Sequence, residues 1–250
     1  MLTKATLKWI RSLELKKNRD ESGLFLAEGH KLVGDLLPLL SCRLLIHTAD
    51  WKPASPLSPQ TECIAVSQDV LEKASLLKHP QAVLGVFEQP GINLKPEDLR
   101  GSLSLALDTL QDPGNLGTIL RIADWFGIKR VICSWGTVDA YNPKVVQATM
   151  GAIGRIDLLY TDLASFLPAT GLPIFGTFLE GDSIESVSLP AEGIIVMGNE
   201  GNGISPAVAA CVTRSLHIPG YPPGITGSES LNVAVATAIV CHEFRRGLQG

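Results

Sequence analysis

Three loops in the second half of the chain, two of them rich in glycine, carry amide, carboxylate, hydroxyl and guanidinium side chains. They are Asp112-Pro113-Gly114-Asn115-Leu116-Gly117 with Arg121 six positions after Asn115, Gly198-Asn199-Glu200-Gly201-Asn202-Gly203, and Ser230-Leu231-Asn232-Val233 behind Ile218-Pro219. Each borders an apolar run, Leu103 to Leu107, Gly193 to Met197 and Leu216 to Ile218, and ligands of open α/β sheets collect at strand ends. These groups bind and orient a polar substrate. With no cysteine or histidine at ligand spacing beside them, the sequence suggests group transfer rather than a metal-centred reaction.

The elements that must hold these loops can be read in turn. Leu103 to Leu107 is a continuous apolar strand, and Asp112-Pro113 is a helix start with proline in the first turn. Leu116, Ile119, Leu120, Ala123 and Phe126 form the apolar face of that helix, with Arg121 on the other side. Strands follow at Arg130 to Cys133, Ile156 to Tyr160, Pro173 to Phe178 and Gly193 to Met197. Helical segments near Lys144 to Met150 and Pro206 to Thr213 alternate with them, and a last helix runs from Asn232 to Arg245. The alternation predicts an α/β fold with a parallel sheet covered on both faces.

A boundary falls between Gln89 and Gly101, where Pro90, Gly91, Pro96 and Gly101 interrupt a charged segment. Residues 1–97 are therefore read as a small α/β domain and 102–250 as a second domain. In the first, Phe25 to Gly29 followed by Lys31-Leu32-Val33 reads as strand, turn and helix. Arg43 to His47, Thr61 to Val66, a helical Gln68 to Leu77 and Ala82 to Glu88 are its further elements. Lys4, Lys8, Arg11, Lys16, Lys17 and Arg19 cluster among the first 20 residues, where Leu7, Ile10 and Leu13 recur at helical spacing. By itself this is the solvated face of an amphipathic helix.

The chain has 250 residues, a net charge of −4 and a pI near 5.7, so its average charge gives no sign of a nucleic-acid partner and only local placement can. Its longest apolar stretch near the N-terminus, Leu36 to Ile46, is interrupted by Pro38, Ser41 and Arg43 and is too short to span a bilayer. Five cysteines without paired spacing fit reduced thiols, and the expected compartment is the cytoplasm.

Asn115 with Arg121, Gly198-Asn199-Glu200-Gly201 and Ser230-Leu231-Asn232-Val233 resemble the three successive motifs of the SpoU (TrmH-like) branch of the SPOUT RNA 2′-O-ribose methyltransferases. Asn142 to Val146 and Met150-Gly151-Ala152 stand between the first two motifs as they do in that family. Phe25-x-x-Glu28-Gly29 and His79-Pro80-Gln81 resemble its ribosomal-protein-like substrate-binding domain. The resemblance implies a trefoil-knotted C-terminal domain, S-adenosylmethionine as cofactor, a homodimer, and RNA as substrate, with ribosomal RNA favoured over tRNA. No metal and no membrane partner are implied. Cofactor contact is implied at Thr177, Gly198, Ile218 and Leu231, with Glu200 and Ser230 adjacent. Arg121 is implied as the catalytic residue, gripping RNA and supported by Asn115, Glu200, Ser230 and Asn232. The resemblance also assigns Lys4, Lys8, Arg11, Lys16, Lys17 and Arg19 to RNA phosphates.

Other roles compete at the same positions: Asn115 as a helix cap, Asn232 as a backbone tie, and Arg121 with Glu200 as a buried ion pair. The chain departs from the family pattern at Gln147, at Ala234 and in a longer segment from Gly220 to Gly227. A non-catalytic RNA-binding or ribosome-assembly factor retaining the fold is the alternative function.

Overall fold

The computed structural model describes residues 2–54, 56–222 and 230–246. The chain divides into two compact units, one formed by Met1–Gly91 with Asp139–Arg155, the other by Ile92–Val138 with Ile156–Gly250. A single boundary near Pro90 would leave Asp139–Arg155 in the second domain. It packs with the first.

In the first unit, α1 (Lys4–Ser12) begins where the Thr3 hydroxyl accepts from the Thr6 amide at 3.1 Å. After a break comes α2 (Lys16–Ser22), ended by Gly23 in the left-handed region, so the basic N-terminal stretch is two helices. β1 (Leu24–Glu28), α3 (His30–Leu36), β2 (Cys42–His47), β3 (Glu62–Ala65), α4 (Gln68–Ala74) and β4 (Val83–Glu88) follow, and the sheet runs β1-β4-β2-β3. Ile10 and Leu13 pack on Leu26, Ile46, Leu84 and Val86. Every residue of β1 is buried, which requires cover on both faces of the sheet. Part of that cover is α6 (Pro143–Thr149), which packs on β1 while Tyr141 lies against Phe25 with ring centroids 5.0 Å apart. A second tie is the buried Arg19. Its Nε and Nη2 donate to Asp139 Oδ2 at 3.0 and 2.5 Å, and its Nη1 donates to the carbonyls of Leu13 and Glu14.

In the second unit, β5 (Leu103–Leu107), β6 (Arg130–Ser134), β7 (Asp157–Thr161), β8 (Ile174–Ser183), β9 (Gly193–Met197) and β10 (Arg214–His217) form a parallel sheet of order β10-β8-β9-β5-β6-β7. All residues of β5 and β9 are buried. Leu163 and Leu167 of α7 (Leu163–Ala169) and Val208 of α8 (Pro206–Ala209) join Ala106, Ile132, Ile194 and Val196 in one core. The helix α5 (Pro113–Trp125) packs against α9 (Val233–Arg246), whose Phe244 meets Phe175 of β8 edge to face. α8 is half the length expected from sequence, and α7, capped by Asp162, is an element that the sequence reading lacks.

Candidate active site

The site grows from the C-terminal ends of β9 and β10 and from the break within β8, three neighbours in the sheet. Gly176 pairs with Val196 of β9 and with Ser215 of β10, but the next β10 partner, Leu216, is opposite Asp182. Residues 177–181 thus leave the β10 ladder, and the half-buried Thr177 stands where the strand departs, its hydroxyl donating to the Val196 carbonyl at 3.2 Å. Gly198 is the next residue after β9, and the half-buried Ile218 is the next after β10. Three of the expected cofactor contacts therefore share one edge of the sheet.

The loop after β9 is a closed turn. Asn199 and Gly203 exchange two main-chain hydrogen bonds of 2.9 Å, and the Asn199 side-chain oxygen accepts from the amides of Gly201 and Asn202. Its side-chain amide donates to the Thr109 carbonyl at 2.9 Å, tying this loop to the segment after β5. The buried Asp108 adds a second tie, accepting from the Ser205 amide at 2.8 Å. Sequence reasoning missed both Asn199 and Asp108. An amide between two glycines in a turn is the available signal for Asn199, and an acid closing the strand Leu103 to Leu107 is the signal for Asp108.

The turn itself requires a glycine at position 198. A Cβ there would lie 2.2 Å from the Gly203 carbonyl carbon and 2.4 Å from the Ile204 nitrogen. Its φ is not positive, whereas Gly203 has φ +66°.

Asn115, Glu200 and Asn232 do meet. The Asn232 amide donates to the Asn115 side-chain oxygen at 3.0 Å, and the Asn115 amide donates to Glu200 Oε1. Asn232 Oδ1 accepts from the amides of Ala234 and Val235 at 3.0 and 3.3 Å, so Asn232 also caps α9. α5 is capped by Asp112, whose carboxylate accepts from the Asn115 amide nitrogen at 2.7 Å. The side chain of Asn115 is thereby left for the link to the other two loops. One chain of hydrogen bonds joins the start of α5, the turn after β9 and the start of α9.

Arg121 stands apart from this chain. It is exposed, and among the described residues it makes no hydrogen bond or ion pair, so the buried pair with Glu200 is absent and Asn115, Glu200 and Asn232 do not orient it. Its guanidinium is free to take an anion. Ser230 and Leu231 are exposed just before α9, and Leu231 presents 49 % of its surface. Positions 223–229, which include most of the longer Gly220 to Gly227 segment, lie outside the described residues.

Of the N-terminal basic residues, Arg19 is withdrawn from the RNA assignment, because its guanidinium is buried and spent on Asp139 and two carbonyls. Arg11 donates to the carbonyls of Lys73 and Ser75, while Lys16 and Lys17 pair with Asp20 and Glu21 one turn on. Lys4 and Lys8 are exposed and without side-chain partners among the described residues. No group of three or more histidine, cysteine or acidic residues able to hold a metal occurs among the described residues.

Residues 102–242 match the SpoU rRNA methylase family, and residues 4–85 match the MRM3-like substrate-binding domain. The chain belongs to the SpoU rRNA methylase family. It is 32 % identical over 241 residues to the 23S rRNA (guanosine(2553)-2′-O)-methyltransferase RlmP of Bacillus subtilis, covering 94 % of each chain. A TrmH-family protein from Porphyromonas gingivalis has a similar structure, with a TM-score of 0.90, 41 % identity and 99 % of each chain covered. An AdoMet-bound rRNA methyltransferase from Sinorhizobium meliloti has a TM-score of 0.85 and 31 % identity, with 100 % of this chain and 97 % of that one covered.

Proposed function

We propose that this SpoU-family protein transfers a methyl group from S-adenosylmethionine to a ribose 2′-hydroxyl of RNA, with ribosomal RNA as the substrate. The observation that carries the reading is the hydrogen-bonded chain Asn232–Asn115–Glu200 linking the three motif loops beside the strand ends that offer Thr177, Gly198 and Ile218. The names of the 32 %-identical RlmP and of the AdoMet-bound relative support the substrate and the cofactor. The strand-end residues fit such a cofactor. They present a glycine turn, a hydroxyl and aliphatic side chains without a charge, as suits an uncharged base and ribose, and the exposed Glu200 carboxylate is available to a sulfonium.

When bound, S-adenosylmethionine supplies an electrophilic methyl group. The protein's part is position. Arg121 holds an RNA phosphate through its fork of donors, which fixes the ribose hydroxyl in line. Asn115, Asn232 and Glu200 keep the three loops in register, and Ser230 and Leu231 close the edge before α9. An arginine stays protonated in proteins, so it does not serve as the base that removes the hydroxyl proton.

We further propose that residues 1–97 bind RNA through the remaining free lysines, Lys4 and Lys8, while 102–250 carry out transfer in a trefoil-knotted domain. The protein acts as a homodimer in the cytoplasm. Trp125, at the end of α5, is 85 % exposed, an aromatic side chain suited to anchoring a second copy. No helix among the described residues is long and apolar enough to cross a membrane.

The test is transfer of tritium from methyl-labelled S-adenosylmethionine into ribosomal RNA from a strain lacking the gene, with the product mapped for 2′-O-methyl ribose. A single labelled nucleotide is expected. RNA binding without transfer would favour the non-catalytic factor.

A further inference from the structure

Within the first unit, a cavity of about 380 Å³ opens between the end of β1, the turn after α4 and α6. That volume lies in the range of small-molecule pockets. Leu26, Leu76, Leu77 and Ala148 supply apolar walls. At its end stands Glu28, 4 % exposed, whose Oε1 accepts from the Leu76 amide at 2.9 Å and whose Oε2 accepts from the Ser75 hydroxyl. A carboxylate has about four acceptor positions, so roughly two remain for a ligand. Lys144 and Gln147 also line the cavity, and among the described residues neither side chain has a hydrogen-bond or ionic partner.

A buried carboxylate with spare acceptor capacity between aliphatic walls suits a flat ligand that carries N–H donors on one edge. We infer that this cavity receives an unpaired guanine of the RNA substrate. Guanine is the base that sets an imino N–H beside an amino group, offering two parallel donors to Glu28. The Gln147 amide can donate to guanine O6, and Lys144 can meet the attached phosphate. Uracil has a single imino N–H between two carbonyl oxygens that a carboxylate repels. The inference rests on the RNA methyltransferase reading above, and it gives the first unit a base-reading role besides its contacts to phosphate.

The methyl resonances of Leu26, Leu76 and Leu77, followed by NMR in the full-length protein, provide the test, with guanosine monophosphate and uridine monophosphate as probes. Guanosine monophosphate is expected to shift them saturably and uridine monophosphate to leave them in place. Ala148→Phe, which fills the cavity, and Gln147→Glu, which sets a like charge near Glu28, should each abolish the shift. With ribosomal RNA, both variants should raise KM about tenfold, the scale of a lost base contact, with kcat and S-adenosylhomocysteine affinity unchanged. Gln147 is half-buried and unpartnered, so its variant reports even if Ala148→Phe misfolds. No shift with guanosine monophosphate, an equal shift with uridine monophosphate, or a shift that survives Gln147→Glu would overturn the inference while leaving methyl transfer intact. Shifts in a protein that methylates no RNA would sink the proposed function and keep the pocket.

Discussion

At the residue scale, Arg121 is the side chain whose freedom matters. It is exposed on α5, and its removal breaks no hydrogen bond or ion pair among the described residues. Arg121→Ala should lower transfer about 100-fold or more, the scale set by a misplaced reactant, while S-adenosylhomocysteine binds as before by calorimetry. Arg121→Lys should fail comparably, because an ammonium lacks the bidentate fork. Near-normal turnover in either variant would remove Arg121 from the mechanism. Glu28 gives a second test. Burial raises its carboxyl above the ordinary 4.5, against the lowering by its Ser75 and Leu76 hydrogen bonds. The folded protein therefore binds this proton more tightly than the unfolded chain. Its contribution to stability is full below the unfolded value and is lost as pH rises through the raised folded value. Urea unfolding should show the stability of Glu28→Gln improving relative to wild type as pH is raised from 4.5 toward neutrality, and a constant difference would exclude this titration. Asn115 and Asn232 are legible in sequence because a short amide just ahead of an apolar helical run marks a turn or a cap. Arg19 is not, since its partner Asp139 lies 120 positions along the chain.

At the element scale, the turn after β9 separates two glycines that look alike in sequence. Gly198→Ala places a Cβ against the Gly203 and Ile204 backbone, so the turn must open and cofactor binding should be lost. Gly203→Ala meets open space and should cost only the left-handed strain of about 1–2 kcal/mol, with binding largely kept. Calorimetry with S-adenosylhomocysteine distinguishes them, and equal losses would mean that the turn is not what Gly198 protects. The strands are readable because continuous apolar runs end at glycine, proline or acid, as at Leu103 to Leu107 before Asp108. α7 is hidden because Pro168 falls inside it and Asp162 alone signals its start. The end of α1 at Ser12 is equally hidden, since Leu13 keeps the apolar spacing while the chain turns. Beyond that turn, α2 is anchored by Arg19. Arg19→Met should destabilise the protein by about 3 kcal/mol in urea, because the half-buried Asp139 loses its ionic partner and the carbonyls of Leu13 and Glu14 lose their donor. A loss below about 1 kcal/mol, the scale of an exposed pair, would show that water reaches Asp139 freely.

At the scale of the whole molecule, the exposed Trp125 gives the proposed dimer its test. Truncating an aromatic anchor in an interface costs about 2 kcal/mol or more, so Trp125→Ala should raise the dimer dissociation constant about 30-fold in sedimentation velocity. An unchanged constant would place the interface elsewhere. The path of the chain is the least legible feature. The chain first passes from one unit to the other after Gly91, but nothing local in Asp139–Arg155 announces that this segment returns to the first unit. That return has a consequence for how the protein is made. When residue 91 leaves the ribosome, β1 still lacks α6, Arg19 lacks Asp139, and the guanine cavity lacks the wall that holds Lys144 and Gln147. At about 5–20 residues per second, the missing segment emerges roughly 3–13 s later. The N-terminal unit is born first and finished late. A nascent chain paused between residues 91 and 139 would carry an uncovered β1, which is the form a chaperone or protease would meet.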